Sequence, residues 1–72
     1  MNQLDKAASE SVLRAMAEAG ISLEELAPLI GMHEKTLLKR LTQGPWRLVE
    51  LWTIAQVIGC SPRSLVTGEV AA

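Results

Sequence analysis

The chain has 72 residues, a formal charge of −1 and nearly half its residues hydrophobic, so it can build one small domain and no more. Two Trp, no Tyr and no Phe disfavour sheet, and the abundance of Leu and Ala favours helices packed on helices. A single cysteine, Cys60, excludes an internal disulfide. Apolar runs of only a few residues lead us to expect neither a membrane span nor a signal peptide.

The first predicted helix covers residues 5–19, with Asn2 or Asp5 as its N-cap. Ala8, Val12, Ala15, Met16 and Ala19 form its apolar stripe, with Leu13 at the edge. Lys6, Glu10, Arg14 and Glu18 alternate in sign every fourth residue on the outer face. Gly20 ends the helix.

A second helix is predicted over 23–30. Ser22 caps it and Glu25 stands three residues on, the spacing of a capping box. Leu23, Leu26, Ala27 and Ile30 make its apolar face, and Gly31 stops it. Pro28 lies inside it, which predicts a bend or an irregular last turn beside a solvated Glu24. A third helix follows over 34–42 or 43. Leu37 and Leu41, four apart, define its inner face, with Leu37 expected between the second, third and fourth helices. Lys35, Lys39 and Thr42 fall opposite.

Gly44–Pro45 fixes a loop, and Trp46 is expected to cover the edge of the core. A fourth helix is predicted over 47–58, with Leu48, Leu51, Ile54, Ala55 and Ile58 buried and Gly59 closing it. Ser61–Pro62 signals the start of a fifth, over 62–66 or 67, that seats Leu65 in the core, with Val66 as a second candidate. We expect one domain over 1–72, ordered over about 5–68.

The charge is unevenly spread. Residues 1–32 carry −3, residues 33–47 carry +3, and the remainder −1. The positive charge therefore sits on the third helix and the loop after it. Two short helices across a glycine turn, the second basic on its outer face, is an arrangement that sets a helix into a DNA major groove.

The series Leu26–Ala27, Gly31–Met32, Thr36–Leu37, Arg40–Leu41 and Gly44 resembles the helix-turn-helix of lambda repressor/Cro-like regulators. The resemblance continues through Pro45, Glu50–Leu51, Ile54–Ala55, Gly59, Ser61 and Leu65, and spans residues 10–68. It implies an all-α, five-helix lambda-repressor-like fold. It also implies a DNA-binding transcriptional regulator of phage or prophage type that blocks a promoter. By position, base contacts come from Glu34, Lys35 and Lys39, with Leu38 flanking. Lysine donates to guanine, glutamate accepts from cytosine, and leucine presses on a thymine methyl. Thr36, Arg40, Thr42, Gln43 and Arg47 are placed for phosphates. The sequence departs from the family at His33, a cap position usually held by Ser or Thr. It departs again at Leu23, often a Gln, and at Arg40, commonly a buried aliphatic residue.

A small module neutralises few phosphates, so the expected partner is a palindromic operator in double-stranded DNA bound by two copies. Trp52, Val66 and Val70 are the candidate contacts of a weak homodimer. No catalytic constellation, metal cluster or cofactor loop is present, so neither enzymatic activity, a cofactor nor a small-molecule ligand is expected. The expected location is the cytoplasm, on the nucleoid of a bacterial host. The rival reading is a protein–protein interaction module of the same fold, an anti-repressor or adaptor that docks a partner through Trp46 or Trp52 and binds no DNA.

Overall fold

A computed structural model describes residues 2–67, with the side chains of Val66 and Thr67 outside the description. Five helices follow in order: α1 Gln3–Ala19, α2 Leu23–Leu29, α3 Glu34–Gln43, α4 Leu48–Ile58 and α5 Pro62–Thr67. The described residues contain no strand, and the fold is all-α as expected.

The largest fully buried side chains are Val12, Leu26, Leu37, Ile54 and Leu65, one from each helix. No two helices can bury these without the others, so the core is a single unit. α1 packs against α3, α4 and α5, α4 packs against α5, and α2 packs against α3. Leu37 is buried as expected, though α3 leans chiefly on α1 and α2 rather than on α4. Two buried hydroxyls, Ser9 and Ser11, lie among the α1 core residues. Ser11 donates to the Ala7 carbonyl at 2.9 Å and Ser9 to the Arg40 carbonyl at 3.2 Å, which removes the cost of burying them.

The ends of the helices follow local chemistry. Asn2 caps α1 by accepting the Asp5 N–H at 2.7 Å. Ser22 and Glu25 make both halves of the capping box, at 3.2 and 3.1 Å. The irregularity expected at Pro28 takes the form of an early stop. α2 ends at Leu29, the Ile30 N–H is shared between the Leu26 and Ala27 carbonyls, and the Met32 N–H closes back on Ala27 at 2.9 Å. Gly31, at φ +68°, supplies the left-handed residue this closure needs. The Glu24 carbonyl that Pro28 cannot serve belongs to an exposed residue.

Two packing expectations fail. Leu48 is 66% exposed rather than buried. It is the first residue of α4 and lines an open groove with Leu4, Asp5 and Trp46, where nothing covers the first turn of the helix. Ala19 is exposed at the last residue of α1. Arg47 precedes α4 as its N-cap rather than opening it. The expectations about Val66 packing and about Val70 fall outside the described side chains.

Candidate nucleic-acid interface

α3 separates its residues by face. Leu37 and Leu41 point into the core, while Glu34, Lys35, Leu38 and Lys39 are all exposed. The four candidate base-reading residues thus share one solvent surface, with Leu38 half exposed between the lysines. Neither lysine has an ion-pair partner among the described residues. Lys35 and Lys39 are four apart, so they stand side by side and repel by a few tenths of a kcal/mol. Glu34 sits in the first turn, where the positive end of the helix dipole favours a carboxylate. His33 caps α3 through its backbone alone, with no side-chain hydrogen bond.

The phosphate candidates divide. Gln43 and Arg47 are exposed on either side of Gly44–Pro45. Thr42 is exposed, but its hydroxyl donates to the Leu38 carbonyl at 2.9 Å and must rotate to serve a phosphate. Thr36 is half-buried beside Met32, His33 and Val49. Arg40 is half-buried as well, and its Nε donates to both oxygens of Glu50 at 3.2 Å. Its departure from an aliphatic residue is therefore answered by Glu50, and the stem packs while the head is held.

Glu50 has a second role. Its Oε1 also accepts the Arg47 N–H at 2.8 Å, so one carboxylate joins the end of α3 to the start of α4. Arg47 has no side-chain acceptor, and only this returning half of a capping box forms. On the other side of the loop, Asp5 accepts the Trp46 N–H at 3.0 Å, and the Trp46 indole N–H donates to Ser9 at 2.8 Å. Trp46 packs on the core edge, as expected, with these two polar anchors added.

Sequence reasoning named none of Asp5, Ser9 or Glu50 as support for this surface. Glu50, three residues after a loop residue, had a legible signal in its capping spacing. The Asp5–Trp46 and Ser9–Trp46 pairs are 41 and 37 residues apart and leave no periodic trace.

Trp52 is 54% exposed on the solvent side of α4, near Leu48 and Val49, which are also exposed. None of the five described helices is long and apolar enough to cross a membrane. Neither a curated protein nor a solved structure matches the chain. The family of Cro/C1-type HTH DNA-binding domains matches over residues 12–68, from the middle of α1 to just past α5. With four-fifths of its length so matched, and with the five helices in place, the chain belongs to the Cro/C1-type helix-turn-helix DNA-binding domains.

Proposed function

We propose that this DNA-binding domain is a sequence-specific transcriptional regulator of phage or prophage type, which inserts α3 into the major groove and excludes polymerase from the promoter. The observation that carries the reading is the exposed face of α3, where the side chains of Glu34, Lys35, Leu38 and Lys39 stand together without an ion-pair or hydrogen-bond partner among the described residues. Two lysines held four apart cost local stability in the free protein, and a polyanion removes that cost. Lys35 and Lys39 read guanine edges, Glu34 accepts from a cytosine amine, and Leu38 meets a thymine methyl. Arg47, Gln43, Thr42, Thr36 and the free edge of Arg40 take phosphates. The protein catalyses nothing in this reading and works in the cytoplasm, on the nucleoid.

The operator is palindromic and is filled by two copies. The Cα trace of one copy extends 29 Å along its longest axis, comparable to the roughly 34 Å of one DNA turn that separates successive major-groove faces. The α4 face around Trp52 exposes Leu48, Val49 and Gln56 and no charge, so two such faces meet without like-charge repulsion. The same uncharged face also favours the rival reading, docking of a different protein.

Selection of bound sequences from a random duplex pool tests the function. A selected pool that converges on two inverted half-sites supports it. A pool that stays random after repeated rounds contradicts it.

A further inference from the structure

The residues that hold the loop between α3 and α4 come from outside the helix-turn-helix. Two consecutive loop amides are each taken by a carboxylate. The Trp46 N–H goes to Asp5 of α1 and the Arg47 N–H to Glu50 of α4. Trp46 is pinned a second time, through Ser9, whose own hydroxyl proton goes on to the Arg40 carbonyl near the end of α3. Gly44 makes the approach possible. A Cβ at this position, where φ is +65°, would stand 3.1 Å from the Cβ and Cγ of Asp5. Asp5 is thus fitted against the turn as well as bonded to it.

Such an arrangement is costly beside a phosphate-facing loop unless it does something there, because Asp5 and Glu50 both repel a polyanion. Resting on the DNA reading above, we propose that Asp5 is a positioning residue for DNA binding. With Ser9, it latches the first two turns of α1 onto Trp46 and thereby aims Arg47 and the Gly44–Pro45 backbone at a phosphate. The hydrogen bond to Trp46 carries the effect and the charge of Asp5 does not. The latch acts on affinity for every duplex alike, since it sets a phosphate contact and reads no base.

The test compares wild type, Asp5→Asn and Asp5→Ala as full chains. Each is titrated with a mixed-sequence duplex over a salt series, and hydrogen exchange at the Trp46 amide is followed without DNA. Asn offers the same acceptor oxygen without the charge. It should keep the Trp46 amide slow to exchange and bind at least as tightly as wild type. Asp5→Ala should expose that amide and lower affinity about five- to tenfold. Its slope of log Kobs against log salt should become shallower by about 0.9, the value of one phosphate contact. Trp46→Phe, which keeps the Asp5 bond and loses the Ser9 bond, should give an intermediate loss. It stands in if Asp5→Ala fails to fold. Wild-type affinity in Asp5→Ala despite a fast-exchanging amide overturns the positioning role and leaves the DNA reading intact. A loss in Asp5→Asn as large as in Asp5→Ala overturns it too. A wild type that binds no duplex at all overturns the DNA reading, and the positioning role with it.

Discussion

Lys39 and Arg40 are neighbours with opposite fates. The Lys39 ammonium has no partner among the described residues and stands on the open face of α3, while Arg40 turns its Nε onto Glu50. Helical spacing alone separates them, because Lys39 lies four residues from Lys35 and two from the Leu37/Leu41 seam. A Lys39→Ala variant should therefore lose about 1–3 kcal/mol of affinity for a selected site and relax preference at one base position. Equal affinity of variant and wild type for that site removes Lys39 from the reading set. The exposed charges of α3 were legible because each depends only on its own helix. The role of Glu50 as partner of Arg40 was not, since it depends on how α3 and α4 meet across the loop.

At the scale of the helix, the apolar stripes were legible wherever a stripe meets another helix. Val12, Leu26, Leu37 and Ile54 follow from periodicity and Leu65 from the helix that Ser61–Pro62 starts, and all five are fully buried. Leu48 belongs to the same stripe by spacing and yet is exposed, because a stripe predicts which face turns inward and not where the neighbouring helix ends. Pro28 was legible as a disturbance, and its form, a closure through Gly31 onto Ala27, needed the geometry of the turn. The weight of the element falls on Leu37. Leu37→Ala should cost about 2–5 kcal/mol, a large part of the stability of so small a domain, and lower the melting temperature accordingly. A thermal melt unchanged from wild type would mean that α3 presents its faces the other way round.

For the whole molecule, a net charge of −1 gives no general pull toward DNA, so the basic segment 33–47 must supply it. That segment offers only about four cationic contacts per copy, few enough that one copy binds weakly at physiological salt. Two copies on inverted half-sites should then bind far more tightly than one copy on a single half-site. Trp52→Ala should remove much of that difference while leaving single-site affinity alone. If the two-site duplex binds no better than one half-site, or Trp52→Ala changes nothing, the pairing surface on α4 is not the one used. If the face of α3 meets the DNA backbone and bases through its cations, affinity for duplex DNA must depend on salt, and a titration over a salt series reads that dependence. Log Kobs should fall linearly with log salt, with a slope of about −3 to −4 for a single half-site. A slope near zero, or no binding even at low salt, contradicts it.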